Sequence, residues 1–251
     1  MKFLVESTAF LTDIGRVRSN NEDNGAILTS TNGTLAFVAD GMGGHSAGDV
    51  ASAIALRIMK KKWDDLSQPM TAMEAETFLQ QTFVEMNEAI YTHAKENKEC
   101  DGMGTTAVAA FCTDEYVAVA HVGDSRLYVV TDQGLKQQTM DHSLVAELLK
   151  NGQLSPEEAE DHPRKNVVLR ALGTEVDVKV ETETIAADPI KLLMICSDGL
   201  SDKVKDNELA IELEREDELS LIAKSLVARA NDRGGEDNIT VALVRFTEEL
   251  Q

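Results

Sequence analysis

Acidic residues closely follow apolar, strand-like runs at distant places in this chain, and this pattern restricts how the chain can fold. The pairs are Asp40 after residues 35–39, Asp124 after residues 117–122 and Asp198 after Leu192–Cys196. A carboxylate at the end of a buried strand is costly to desolvate unless a cation compensates its charge. Several such carboxylates at one point would also repel each other strongly. The pattern therefore predicts strands whose ends meet around bound cations.

The residue types around these acids indicate which cation would fit. Asp40 and Asp198 are each followed by glycine, which lets the backbone turn sharply, so that the Gly41 carbonyl can also reach a metal. Oxygen ligands suit hard divalent ions, Mg²⁺ or Mn²⁺, better than zinc or copper. Taken singly, Asp124 also fits a hairpin turn and Asp237 an Asx turn before the last strand. Only their combination favours a metal site.

The composition excludes several classes of function. With 24 basic and 44 acidic residues among 251, the formal charge is −20, which opposes nucleic-acid binding and attraction to anionic membranes. The N-terminal segment lacks the apolar stretch of a signal peptide, and no window approaches the roughly 20 apolar residues of a membrane span. The three cysteines have no metal-binding spacing and no thiolate-activating loop around them. We expect a cytoplasmic protein without a membrane span.

The hydrophobic periodicity predicts the order of the secondary-structure elements. Strand-like runs cover residues 3–12, 26–29, 34–40, 105–113, 116–122, 126–131, 192–196 and 239–246. Helical spacing covers residues 46–63, 72–94, 206–215 and 219–230. Strands interrupted twice by helix pairs are typical of an α+β protein rather than of a doubly wound parallel sheet. We expect a central β-sandwich of two antiparallel sheets, flanked on both faces by antiparallel helix pairs.

No linker or repeat divides the chain, so residues 1–251 are predicted to form a single domain. One polar segment, about 141–166, interrupts the apolar pattern and contains Asn151-Gly152. Ser155-Pro156 has the features of a helix start inside it. We interpret the segment as a mobile insertion rather than part of the core.

A polar run near the N-terminus offers groups for an anion and for metal-bound water. Arg18 presents a planar fork that matches phosphate oxygens. Glu22 and Asp23 could hold metal-bound waters. The alternative is an exposed arginine beside a solvated acidic turn.

Together these motifs resemble the metal-dependent protein phosphatases of the PPM family, the protein phosphatase 2C group, in their compact bacterial form. The resemblance extends over essentially the whole chain, in family order, through residues 18–23, 38–45, 102–106, 121–126, 169–173, 196–200 and 237–240. It implies the family's β-sandwich with flanking helix pairs. It also makes segment 141–166 a flap beside the site.

The resemblance implies roles for individual residues. Asp40 would bridge two Mn²⁺ or Mg²⁺ ions, with the Gly41 carbonyl on one and Asp198 and Asp237 on the other. Asp124, with Asp198, would hold a third, weaker metal. The remaining implied roles are phosphate binding by Arg18 and support of the metal site by Glu22, Asp23 and Asn238.

The implied activity is hydrolysis of phosphoserine and phosphothreonine in proteins by direct attack of a metal-bridging water or hydroxide, without a phosphoenzyme. Animal members of the family carry a histidine directly after Asp-Gly, where this chain has Met42, which cannot donate a proton. His45 and a water on the third metal are both candidates for the proton donor.

The expected partners are phosphorylated proteins and a cognate membrane-anchored Ser/Thr kinase, and we expect a monomer. Two other functions stay open at this stage. A non-catalytic relative could bind phosphoproteins as a regulator, and a metal phosphohydrolase could act on small phosphomonoesters.

Overall fold

The structure is a computed structural model that describes residues 3–44, 47–160 and 162–248. Its strands are β1 (Phe3–Asp13), β2 (Asp23–Ser30), β3 (Gly33–Met42), β4 (Gly104–Thr105), β5 (Ala107–Cys112), β6 (Tyr116–Val122), β7 (Arg126–Thr131), β8 (Gly134–Gln137), β9 (Glu181–Ala186), β10 (Leu192–Cys196) and β11 (Ile239–Glu248). Its helices are α1 (Ala47–Asp64), α2 (Ala72–Glu96), α3 (Leu144–Lys150), α4 (Pro156–Glu160), α5 (Asp198–Ser201), α6 (Asp206–Leu213) and α7 (Leu219–Asp232).

The strands form two antiparallel sheets, as the sequence predicts. One sheet has the order β1-β11-β10-β7-β8, and the other has the order β2-β3-β5-β6-β9, with β4 paired to β3. Strands β8 and β9 are absent from the sequence prediction, and both lie at sheet edges. Strand β9 escapes prediction because its sequence, Glu-Thr-Glu-Thr-Ile-Ala, lacks an apolar face and none of its residues is fully buried.

Alternation along the strands divides the core into three layers. In β10, Leu193 and Ile195 lie in the cluster between the sheets, whereas Leu192 and Met194 pack towards α6 and α7. Residues two apart in a strand point to the same face, so one strand contributes to both layers. The third layer covers the outer face of the other sheet with α1 and α2. The predicted α+β sandwich between helix pairs is therefore confirmed.

Helix α2 begins where local chemistry favours it. Thr71 accepts a hydrogen bond from the Glu74 amide, and the Glu74 carboxylate accepts one from the Thr71 amide, which forms a capping box. The inner face of α2 packs Phe83 edge-on against Phe37 of β3, with ring centroids 6.5 Å apart. This packing fixes the helix pair on its sheet.

The register of the strands brings the predicted acids together at one end of the sandwich. Cys196, the last residue of β10, lies opposite both Arg126 at the start of β7 and Val241 near the start of β11. The segments that carry Asp124, Asp198 and Asp237 therefore lie at the same end of this sheet. On the other sheet, Asp40 lies opposite Asp23.

Segment 141–166 is more regular than the sequence suggests, because it contains helix α3 as well as the expected short helix α4 after Ser155. Ser143 caps α3 by accepting a hydrogen bond from the Ala146 amide at 3.2 Å, and Val145 is buried. Its sequence, Leu-Val-Ala-Glu-Leu-Leu-Lys, is mostly apolar, but the polar residues around it hid the helix, and only Val145 of its seven residues is buried.

Candidate metal centre

The predicted site residues line one cavity of about 500 Å³ at the end of the sandwich. Its lining consists of Arg18, Glu22, Asp40, Gly41, Met42, Gly43, Thr106, Asp124, Asn166, Val167, Val168, Asp198 and Asp237. The lining of this cavity therefore comes from both sheets, from the loop after β1 and from the end of segment 141–166. Asp23 and Asn238 lie behind this surface, and both are buried. His45, one of the two candidate proton donors, lies outside the described residues.

Asp40 is held by the backbone and side chains of the following strands. The Thr106 hydroxyl accepts a hydrogen bond from the Asp40 amide at 3.1 Å, and the Thr105 hydroxyl donates to the Asp40 carbonyl at 2.8 Å. Gly41 then passes so close to α1 that a Cβ would lie 2.1 Å from the Gly48 carbonyl oxygen. Any other residue at Gly41 would push α1 away from the strand end that carries Asp40.

A hydrogen-bonded bridge joins the two sheets behind the cavity. The Ser197 hydroxyl donates to Asp23 Oδ2 at 2.7 Å and accepts from the Thr240 amide at 2.9 Å. Ser197 directly precedes Asp198, so this bridge sets the position of Asp198 relative to β2. Ser197 and Thr240 lie within motifs of the family resemblance, but the sequence analysis assigned them no role, because a buried hydroxyl has no distinctive spacing.

Asn238 connects the last strand to the N-terminal polar run. Its Oδ1 accepts a hydrogen bond from the Glu22 amide at 2.8 Å, and its Nδ2 donates to the carbonyls of Ile14 and Asn20 at 2.9 and 3.0 Å. All three contacts span more than 200 residues of sequence. Asn238 therefore places Glu22 at the cavity wall.

Burial and mutual repulsion make it unfavourable for the carboxyl groups of the cavity to be ionised at the same time. The pKa of Asp40 lies well above its ordinary value, first because protein surrounds the carboxyl and then because of Asp23 and Asp198. Burial likewise raises the pKa of Asp198, with repulsion from Asp124 as the next largest cause. Burial raises the pKa values of Asp23 and Asp124 to about 6. Asp40 and Asp198 keep part of their surface open to the cavity.

Two carboxylate oxygens of this cluster lack any hydrogen-bond donor within the described part of the chain. They are Asp23 Oδ1 and Asp198 Oδ1, and both are buried. A buried acceptor without a donor is destabilising unless a ligand or ion satisfies it. Carboxylates and a carbonyl are the donor set that Mg²⁺ and Mn²⁺ prefer. The residues present therefore fit hard divalent cations.

Asp237 is paired with a cation of the protein itself. Arg18 Nη2 lies 2.7 Å from Asp237 Oδ2, and both side chains are partly exposed. Asp237 Oδ1 accepts a hydrogen bond from the Asn238 amide at 2.9 Å. The ligand atoms of Asp40, Asp198 and Asp237 are not all within 4.8 Å of one another in this arrangement.

Asp124 lies between this cavity and a second one of about 260 Å³ under segment 141–166, which Asp198 also lines. Lys165 of the segment reaches across this second cavity to Asp202, at 3.3 Å. Arg126 forms a forked ion pair with Asp141, with its shortest N–O distance at 2.7 Å. The segment is therefore anchored by charge pairs beside Asp124.

A tighter cluster of ligand-type side chains lies behind Asp124, and the sequence analysis did not predict it. Across residues 3–44, 47–160 and 162–248, the only group of three or more His, Cys, Asp or Glu residues with ligand atoms all within 4.8 Å is His121, His142 and Glu181. The two imidazole rings stack with centroids 4.6 Å apart. Arg170 Nη1 lies 2.9 Å from His142 Nε2, so a cation of the protein already faces this group.

None of the helices in the described residues combines the length and the hydrophobicity needed to cross a bilayer.

Comparisons with known proteins agree with this architecture. The family model for protein phosphatase 2C matches residues 15–240. The serine/threonine phosphatase stp of Listeria monocytogenes is 46% identical over 236 residues, which cover 94% of each chain. The crystal structure of the serine/threonine phosphatase Stp1 from Staphylococcus aureus is 37% identical, with a TM-score of 0.92 over 98% of this chain and 96% of that one.

One relative has been solved with bound metal ions. It is the catalytic domain of the serine threonine protein phosphatase PstP in complex with two manganese ions, 31% identical, with a TM-score of 0.85 over 98% of this chain and 100% of that one. The family match, the relatives and the fold agree over nearly the full length. This chain therefore belongs to the protein phosphatase 2C family.

Proposed function

We propose that this protein is a metal-dependent phosphatase that hydrolyses phosphoserine and phosphothreonine in other proteins. The observation that carries the proposal is the single cavity in which Asp40, Asp124, Asp198 and Asp237 meet Arg18. Carboxylates that hold divalent ions beside a guanidinium that binds phosphate are the parts a phosphoester hydrolase needs. The names of the relatives give the same substrate class.

The metal ligands we propose are those that the family resemblance implies. Asp40 would hold two Mn²⁺ or Mg²⁺ ions, one shared with the Gly41 carbonyl and one with Asp198 and Asp237, while Asp124 and Asp198 would hold a third. When bound, such ions lower the pKa of a shared water and neutralise charge on the phosphate. The manganese complex of PstP, a relative of this chain, supports this proposal.

Arg18 would bind the phosphate of the substrate. Its guanidinium is partly exposed at the cavity wall, and the fork fits two phosphate oxygens. Its contact with Asp237 must then be exchanged for one with the substrate. Glu22 lies beside Arg18, and burial raises the pKa of its carboxyl. We propose that Glu22 and the buried Asp23 accept hydrogen bonds from waters at the centre.

The leaving serine or threonine needs a proton, and Met42 at the cavity wall has none to give. The proton donor we propose is therefore His45 or a metal-bound water, the two candidates from the sequence analysis.

Residues 141–166 would act as the flap of a single domain that covers residues 1–251. Its last residue, Asn166, lines the cavity together with Val167 and Val168, and this supports a contact between this end of the flap and a bound phosphopeptide. We further propose that the protein works as a cytoplasmic monomer and that a membrane-anchored Ser/Thr kinase supplies its phosphorylated substrates.

The test compares phosphopeptides, nucleotides and sugar phosphates at equal concentration with Mn²⁺ present. We expect the phosphopeptides to be hydrolysed with much the highest kcat/KM, and the Asp198→Ala variant to hydrolyse them about a thousandfold more slowly. Preference for a nucleotide or sugar phosphate would replace this proposal with a small-molecule phosphohydrolase. Absence of turnover by the wild-type protein would favour a phosphoprotein-binding regulator.

A further inference from the structure

The flap begins and ends at one narrow neck, which contains His142. The Leu144 amide donates to the Val167 carbonyl at 2.9 Å, and the Leu169 amide donates to the His142 carbonyl at 2.8 Å. Ser143 and Val168 form an isolated β-bridge between these two contacts. Any movement of the flap as a unit must therefore act on His142.

His142 also binds the turn that carries Asp124. Its amide donates to the Gly123 carbonyl at 2.9 Å, and its ring Nδ1 accepts from the Gly123 amide at 3.0 Å. One residue thus binds both polar groups of Gly123. The ring is buried and stacks on His121, which fixes its plane.

The opposite side of the same turn is fixed by Thr106. Gly123 has φ +108°, and a Cβ there would lie 2.6 Å from the Thr106 side chain. The Thr106 and Ser125 hydroxyls are 2.8 Å apart. The Gly123-Asp124 peptide is therefore held between Thr106, which also binds the Asp40 amide, and His142. Only the His142 side of this clamp belongs to the flap.

The two nitrogens of His142 face two N–H donors, and a neutral ring can accept from only one of them. The Gly123 amide is fixed by the backbone, can only donate, and lies 3.0 Å from Nδ1. Arg170 Nη1 lies 2.9 Å from Nε2, but it has other acceptors in the Lys179 carbonyl and Glu181 Oε1. Nδ1 is therefore the acceptor, and the ring proton lies on Nε2, where Glu181 Oε1 is 3.4 Å away.

We propose that His142 is a positioning residue for Asp124: by accepting the Gly123 hydrogen bond through Nδ1, it orients the Asp124 carboxylate towards Asp198 and couples the flap to the weakest cation site. The inference rests on the proposed function for the role of Asp124. It assigns no metal to His142 itself, because Arg170 occupies that side of the ring.

Two variants separate the two nitrogens. His142→Asn keeps an acceptor near the position of Nδ1, whereas His142→Gln places its amide near the position of Nε2. The assay is binding of Mn²⁺ alone, by equilibrium dialysis and calorimetry. We expect the weakest ion to bind about tenfold more weakly to His142→Gln, as for other supports of metal ligands, and nearly normally to His142→Asn. The tighter ions should be unaffected in both.

Three results would overturn the proposal. They are equal Mn²⁺ binding by His142→Gln and wild type, a loss confined to His142→Asn, and a wild-type protein without a weak ion. Arg170→Met serves as the control and should leave the weak ion unchanged, so a loss there would assign the role to Nε2. These measurements do not involve turnover, so failure of the wild type to hydrolyse phosphopeptides would refute the proposed function separately.

A measurement on the wild type keeps the inference testable if His142→Gln does not fold. Hydrogen exchange of the Gly123 amide should be slow, because Nδ1 accepts its hydrogen bond, and Mn²⁺ should slow it further. Exchange at the rate of an exposed loop, in the absence and presence of Mn²⁺, would contradict the contact on which the inference depends.

Discussion

Replacing Asp23 by asparagine should stabilise the metal-stripped protein at neutral pH. Asp23 is 5% exposed at the start of β2. Its Oδ2 accepts the Ser197 hydrogen bond, but its buried Oδ1 has no donor in the described part of the chain. Burial raises the pKa of this carboxyl from 3.8 to about 6. Asparagine keeps the shape and an acceptor for Ser197, and it removes the charge.

The size and sign of this change in stability follow from the linkage between protonation of Asp23 and folding. Between pH 3.8 and about 6 the folded protein binds more protons at Asp23 than the unfolded chain does, so the free energy of unfolding falls as pH rises through this window. Above it, the charged carboxylate costs about 3 kcal/mol, at roughly 1.4 kcal/mol per pH unit. Asp23→Asn should therefore gain up to about 3 kcal/mol, or roughly 6–12 °C in Tm for a chain of this size.

The assay is thermal unfolding in chelator, at about pH 7.5 and about pH 4. We expect Asp23→Asn to exceed the wild type at the higher pH and to match it at the lower pH, where Asp23 is largely protonated. Mn²⁺ should narrow the gap, since a cation compensates the charge. Asp177→Asn, at an exposed position, is the control and should change nothing. An Asp23→Asn variant no more stable than wild type at about pH 7.5 would refute the electrostatic argument.

Three further predictions address the centre directly. Chelation should abolish turnover, and Mn²⁺ should restore it. At about a hundred times its Kd, Mn²⁺ should also add about 2.7 kcal/mol to the free energy of unfolding. An unchanged Tm would contradict binding of Mn²⁺ to the folded protein. Asp198→Ala should lose turnover by about a thousandfold while its circular dichroism spectrum stays native, so wild-type turnover would contradict its role. Arg18→Ala should raise KM for a phosphopeptide about tenfold, more than Arg18→Lys, and an unchanged KM would show that Arg18 does not bind the phosphate.

The parts of the fold that the sequence predicts are those with a strong apolar period. β10 and β11 send alternate residues into two cores, and α1 and α2 carry a continuous inner face. The edge strand β9 follows a different rule, since its backbone pairs with β6 from Glu181 to Ala186 while its side chains stay half-exposed. Backbone pairing leaves no pattern in side-chain hydrophobicity, so such a strand cannot be found from periodicity.

The candidate site divides in the same way. Asp40 and Asp198 are detectable because an acid at the end of an apolar run is an unusual combination. Ser197, directly before Asp198, donates to Asp23, Thr106 accepts from the Asp40 amide, and His142 accepts from the Gly123 amide directly before Asp124. Their role depends on which backbone groups the fold brings near them. A motif shows the residues that meet a ligand more readily than those that hold the motif in place.

The two arginines beside the acidic cluster, Arg126 and Arg18, differ in the free energy needed to separate them from their carboxylate partners. Arg126 grips Asp141 through a fork at the base of the flap, and both side chains are largely shielded from water. Arg18 meets Asp237 through a single short contact, with both side chains more than a third exposed. Exposed pairs of this kind contribute only about 0–1 kcal/mol. Arg18 and Asp237 can therefore separate at little cost when one meets a phosphate and the other a cation, whereas the Arg126–Asp141 fork keeps the flap anchored during that exchange.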